Sequence, residues 1–480
     1  MRKRGFTLVE MLVATALVVL MMLMFAQIFQ TAGGLVSNQK GMAKQDQSLR
    51  TLTILLRGDI GQRTFREVIP FFPGQDTEAG DFEPEKRRGF FSISENDPDD
   101  ATDDVLHLTI KMDDEAESPL QFFGKATLIR RAGNAVPADP PDADIDTAPE
   151  AELYLLGDAS NPANNDQPEF DDGQLSLNGT GSSRFVEVCW FLRNGVLYRR
   201  ALLIRDRYAT PINTDTQPTN AFGARFIPDD YSSANIPPAT AASGEFWRDF
   251  DYSAYYEPNG GLRFHDVDSL INSSANNPGS NPNLLNLPAS LGLPFLRFGS
   301  STSRASTGPL TIRGPRELLT PGDKSTWIGR FTHQETSHSA FDYPGNLNGG
   351  DPLNDATPLS LANGLVTEFS NETFRRGEDI VMSNVHSFDI QVWDDSLARF
   401  VNTGNGAGDY ASTANADYGN RYDTWHPNAI MPDPPYRPTV TDPVTFVETP
   451  KPLRAVQVQI RFFDVGSDSM RDLTFTFPLK

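Results

Sequence analysis

MRKRGFTLVEMLVATALVVLMMLMFAQIFQ, residues 1–30, differs in character from everything that follows it. Arg2, Lys3 and Arg4 precede Gly5, an apolar stretch begins at Phe6, and no charged residue occurs from Met11 to Phe29. At ~1.5 Å per helical residue, Phe6 to Phe29 spans roughly 36 Å, enough to cross a hydrocarbon core of about 30 Å. The basic cluster places that end in the cytoplasm, which predicts a single-pass protein of the inner membrane with the remainder of the chain outside.

An ordinary secretory signal carries its small-residue cleavage site after the apolar region and is lost whole. Here the small residue, Gly5, comes first. A cut there removes residues 1–5 as a leader and keeps the transmembrane segment 6–30 at the new N-terminus. Glu10 is the one ionisable group in that segment. A carboxylate inside a membrane helix costs at least ~2.5 kcal/mol on insertion scales, so it needs a partner. Cleavage creates a free amine on Phe6, and the ammonium of a neighbouring subunit's Phe6 is the matching cation; losing one member would leave the other buried and unpaired.

Lys3-Arg4-Gly5-Phe6-Thr7-Leu8-Val9-Glu10 resembles the class III signal of type IV prepilins and type II secretion pseudopilins. The resemblance implies that a prepilin peptidase cuts between Gly5 and Phe6 and N-methylates Phe6, that Glu10 serves subunit recruitment and assembly, and that other pilin or pseudopilin subunits are the partners.

Past Gly33-Gly34, where a helix could bend or fray, an amphipathic pattern resumes in residues 31–66. Met42, Leu49, Leu52, Leu56 and Ile60 follow helical spacing, with Lys44, Asp46, Gln47, Arg50 and Arg57 between them. This predicts the outer half of one long helix laid on a sheet. Arg57-Gly58-Asp59 matches an integrin-binding tripeptide, which at a helix end is chance. Period-two alternation predicts strands at Val105–Ile110, Phe185–Leu192, Val196–Arg200 and Val385–Trp393, with Asn194-Gly195 as a hairpin turn. The C-terminal hairpin is cleanest: Val456, Val458, Ile460 and Phe462 face inward, and Leu473, Phe475 and Phe477 repeat the pattern after Gly466-Ser467-Asp468-Ser469.

The expected class is therefore α+β, pilin-like: a long membrane-spanning helix on an antiparallel sheet domain, each sheet with one apolar face. Residues 67–205 supply the first β part and 376–480 the second. Between them, 206–375 is rich in Asn, Pro, Ser and Gly and reads as a loop-rich insertion. The strand order, a hairpin, then Val385–Trp393, then a terminal hairpin led by Pro452, resembles the J-type minor pseudopilin of type II secretion. The bulky outer domain would crowd a homopolymer, which favours a low-copy subunit at or near a filament tip.

The net charge of −22 and pI near 4.7 exclude a duplex nucleic-acid binder, which needs clustered Lys and Arg. Cys189 is the single cysteine, expected as a buried thiol in a strand. The six histidines are scattered, His333 and His338 do not make a helical zinc pair, and no nucleophile elbow or phosphate loop occurs, so no enzymatic activity is expected. No cofactor is expected either, calcium being the one ligand that the acidic loops suit: Asp97-Pro98-Asp99-Asp100 with Asp103-Asp104, and Asp166 to Asp172. Two rival readings stand: a minor type IV pilin for adhesion, motility or DNA uptake, and a membrane-tethered hydrolase or sugar-binding protein with Trp247, Trp327 or Trp425 stacking on sugars.

Overall fold

The computed structural model describes residues 7–70, 88–95, 98–112, 122–125, 180–193, 195–204, 247, 251–256, 262–265, 270, 291–298, 331–336, 361–362, 365–366, 375, 377–412, 420–424, 434–464 and 468–479. One helix, α1, runs from Leu8 to Gly61 without interruption, 54 residues or about 80 Å. The helix does not fray at Gly33-Gly34, where a Cβ at either position would meet open space. A short helix, α2, covers His333–Thr336.

The first strands are β1 (Phe91–Ser94), β2 (Val105–Lys111), β3 (Phe122–Lys125), β4 (Thr180–Ser183), β5 (Phe185–Arg193) and β6 (Val196–Ile204). Short pairs follow as β7 (Ala254–Tyr256) with β8 (Leu262–Phe264), and β9 (Leu361–Ala362) with β10 (Leu365–Val366). The chain then forms β11 (Ile380–Ser383), β12 (Val385–Asp394), β13 (Arg399–Val401), β14 (Arg421–Asp423), β15 (Thr439–Thr441) and β16 (Glu448–Pro450). It ends in β17 (Ala455–Asp464) and β18 (Ser469–Pro478).

Two antiparallel sheets dominate. The six-stranded sheet has the order β11-β6-β5-β2-β1-β14, and the four-stranded sheet β13-β12-β17-β18. The β5–β6 hairpin pairs Arg193 with Val196 across the predicted turn, where Gly195 has φ +74°, the left-handed conformation that favours glycine. In the second sheet Val392, Ile390 and Phe388 face Val456, Val458 and Ile460, all fully buried. The opposite face is polar: Gln459 Nε2 donates to Gln391 Oε1 at 3.2 Å and to Gln457 Oε1 at 2.9 Å. Here the expectation of one apolar face holds.

It fails for the six-stranded sheet. Leu106, Leu108 and Ile110 are buried, but so are Val105 and Thr109 on the other side of β2, and eight of the nine residues of β5 are buried. The second face is covered partly by pieces of 206–375: Trp247, Tyr252, Leu291, Leu293, Phe298 and Phe331 are all buried, and Trp247 meets Phe298 edge-on at 5.0 Å. Cys189 lies in β5 and is only half-buried, paired across the strands with Arg200 of β6.

Helix α1 joins this core through Leu52, Leu56 and Ile60, which lie in one cluster with Leu106, Trp190, Phe388 and Val458. Each such side chain removed from water contributes roughly 1.5–3 kcal/mol. Met42, predicted to share the stripe, is 40 % exposed because the domain surface is reached only further along; Gln45 makes an early contact, donating to Phe463 O at 2.7 Å. His265 and His333 are buried, because a ring with two polar nitrogens can be enclosed when partners are supplied: Asp379 Oδ1 lies 2.5 Å from His333 Nδ1, and Leu296 O 2.7 Å from His265 Nε2.

Candidate functional site

Threonine at 7 and glutamate at 10 form a capping box, the Thr-x-x-Glu arrangement that satisfies the free amides of a helix start. Thr7 Oγ1 accepts from Glu10 N at 3.3 Å, while Glu10 Oε2 accepts from both Thr7 N and Thr7 Oγ1 at 2.9 Å. The Thr-x-x-Glu spacing before an apolar run is itself the sequence signature of this cap. In the single protomer the acid therefore closes on its own helix end, where the macrodipole also favours negative charge.

From Met11 to Ala26 the helix surface is almost wholly apolar. Leu8, Met11, Leu12, Leu17, Leu23, Phe25 and Phe29 are each more than half exposed, and none of the most apolar window is buried within the protein. A core helix of a water-soluble domain would be enclosed, so this stretch is free to take lipid or other helices around it. Thr15 is the sole hydroxyl or amide side chain between Glu10 and Gln27, and its Oγ1 donates back to Met11 O and Leu12 O at 3.0 Å. That leaves no unpaired donor for hydrocarbon to meet.

Gly5 and Phe6, the predicted cleavage and methylation residues, lie outside the described residues. Their place in the chain still has a consequence: Phe6 immediately precedes the cap, so a new amino terminus there arises one residue from the Thr7 amide that Glu10 already holds.

The other end of α1 is built differently. Asp59 is 3 % exposed; it accepts from Trp190 Nε1 and Arg199 Nε at Oδ2 and from Arg199 Nη2 at Oδ1, all at 2.7 Å. A bidentate guanidinium clamp of this kind fixes the helix to β5 and β6. It also removes Asp59 from any tripeptide recognition, since its carboxylate is occupied inside the domain. Arg63 finishes the helix, donating to Ile60 O at 2.9 Å and to Leu479 O at 2.6 Å, and burial lowers its pKa to about 10.

Of the residues set aside for other chemistry, Trp247 is fully buried and donates to Tyr252 O at 3.0 Å, so it has no face open for a sugar. Trp327, Trp425, His338 and Asp166 to Asp172 lie outside the described residues, as does Asp97. Asp100 spends its carboxylate on a local turn with Thr102 N and Oγ1. Asp104 is fully buried, whereas Asp100 of the same acidic stretch is exposed.

Compared with known proteins, residues 1–26 match the model of the prokaryotic N-terminal methylation motif. No curated protein and no solved structure matches the chain. The motif coincides with the basic cluster, the glycine, the capped acid and the exposed apolar turns, and together these give the chain the N-terminus of a prepilin-like, membrane-anchored protein, with the processing by prepilin peptidase and assembly with other pilins that such a motif implies.

Proposed function

We propose that this chain is a non-catalytic minor subunit of a pilus-type filament. It is inserted in the inner membrane through α1, cleaved between Gly5 and Phe6, methylated at Phe6, and oriented with its β domain outside. The observation that carries this reading is the outward apolar half of α1 with Glu10 at its head. On extraction from lipid into a filament, that half packs against equivalent helices. Glu10 then exchanges its Thr7 bonds for the Phe6 ammonium of a neighbour, which neutralises both charges and sets the axial register.

The bulk of the outer domain favours low copy number, since a homopolymer would crowd it, and a place at or near a tip follows. The order of β5–β6, β12 and the terminal β17–β18 hairpin supports the likeness to a J-type pseudopilin of type II secretion. A minor type IV pilin is the alternative within the same machinery. The burial of Trp247 weighs against the sugar-binding reading.

Glu10→Ala separates anchoring from assembly. The variant should fractionate with membranes as the parent does but disappear from sheared filaments and from co-purified neighbours; incorporation at the parent level would overturn the reading. Intact mass of the membrane-extracted parent checks processing, because a retained leader would contradict it. The identity of the co-purified subunits, secretion pseudopilins or pilus subunits, distinguishes the two systems.

A further inference from the structure

Three carboxylates, two from the ends of the β1–β2 connection and one from far along the chain, meet where the two large sheets join. Glu95 directly follows β1, Asp104 directly precedes β2, and Asp389 sits in the middle of β12. Glu95 is 1 % exposed, Asp104 is fully buried and Asp389 is half-buried. Each offers an oxygen, and these oxygens lie within 4.8 Å of one another. Two ligands on one calcium ion, at about 2.3–2.6 Å each, are at most ~5 Å apart. The spacing therefore fits a shared cation.

Backbone contacts hold the arrangement. Ile390 N donates to Asp104 Oδ2 at 2.6 Å, Phe388 N to Ala101 O at 2.8 Å, and Glu95 N to Asn420 O at 3.0 Å. The short β13 pairs only with Val392 to Asp394, so the loop before β2 occupies the part of the β12 edge that β13 leaves open. Among the described residues, Glu95 Oε1, Asp104 Oδ1 and Asp389 Oδ1 are buried and meet no hydrogen-bond donor. The charged neighbours acting most strongly on Glu95 and Asp104 are other acids: Asp389, Asp103 and each other. Ionised carboxylates only accept, so abutting acids in a buried site require a proton or a cation between them.

We infer that Glu95, Asp104 and Asp389 form a site for a divalent, oxygen-preferring cation, calcium in the first place, which staples the six-stranded sheet to the four-stranded one. The donor set is all carboxylate oxygen, which suits calcium and not a soft-ligand metal. Bound there, the ion would replace mutual repulsion by attraction along the β1–β2–β12 junction, so the domain would reach full rigidity only where calcium is abundant, as it is outside a cell.

The test uses the full chain in detergent, stripped with EDTA and titrated with calcium chloride by calorimetry and thermal melting, beside Glu95→Gln and Asp104→Asn. At about 1 mM calcium, within the range of extracellular modules, the parent should bind saturably and its melting temperature should rise by about 5 °C. Both variants remove a repelling charge while keeping the side-chain shape. They should therefore melt at or above the parent in EDTA yet bind calcium at least about tenfold more weakly, with the thermal shift gone. The inference is overturned if the parent shows neither binding nor shift up to about 10 mM, which would leave protons shared among the acids. It is overturned equally if the two variants respond to calcium as the parent does. Filament incorporation plays no part in the readout, so failure here leaves the assembly reading intact.

Discussion

Glu10 and Asp59 are acids on one continuous helix, yet Asp59 is clamped by Trp190 and Arg199 inside the domain while Glu10 is exposed and holds the cap of its own first turn. The apolar residues beside them divide the same way: Leu52 and Leu56 are fully buried, whereas Leu12 and Leu17 are 60 % and 54 % exposed. The outer half of α1 meets its polar and apolar requirements within the chain. The N-terminal half meets only its backbone and hydroxyl requirements and leaves its apolar surface exposed. A helix of uniform secondary structure is thus two objects energetically, one enclosed by a domain and one left uncovered by it.

Asp59→Ala should give the largest loss of stability, because it leaves the Arg199 guanidinium enclosed without its anion; a cost of about 3–5 kcal/mol is expected. Denaturant unfolding of the detergent-extracted chain, followed by tryptophan fluorescence, reads it, and a loss under about 1 kcal/mol would mean that the clamp is ornamental. Membrane insertion should be untouched, since the change lies beyond the spanning segment.

Leu56→Ala against Leu17→Ala sharpens the contrast with identical chemistry at two sites. The first should cost about 2–5 kcal/mol by opening a cavity in the core, and the second about 0.5 kcal/mol or less in the same unfolding measurement. Equal effects would show that the N-terminal half packs on the domain after all.

Acid sensitivity should be confined to the domain. Burial by itself would raise the Asp251 carboxyl, but His333, Arg375 and the Lys125 amide overcome it and hold the pKa at about 2, below the usual 3.8. A lowered folded-state pKa means that the stabilisation is complete above about pH 4 and is lost as pH falls toward 2, roughly 2 kcal/mol in all. Near-ultraviolet dichroism should therefore show the parent's advantage over Asp251→Asn shrinking across that window, while the micelle-embedded half of α1 keeps its helical signal. An unchanged advantage at about pH 2 would contradict the assignment.

Local chemistry made much of this readable in advance. The glycine before an apolar run, the lone acid and the period-two strands of β5, β12, β17 and β18 each depend on neighbours a few residues away, so sequence spacing carries them. The polar junctions were not readable. Asp59 with Arg199, Glu95 and Asp104 with Asp389, and Arg297 with Asp423 at 2.6 Å in the core all bring together groups from distant parts of the chain. Arg297 also shows why the second face of the six-stranded sheet went unforeseen: it comes from a stretch without periodicity, and its guanidinium lies 3.8 Å from the Phe90 ring centre.

By itself the sequence determined the anchor, because crossing a bilayer is a matter of length, charge and backbone satisfaction within one segment. It determined the strand faces for the same local reason. Only the tertiary structure decided which acids would be neutralised by arginine, which would be left facing one another, and which would remain on the surface, because a buried charge is governed by the groups that folding brings within a few ångströms of it.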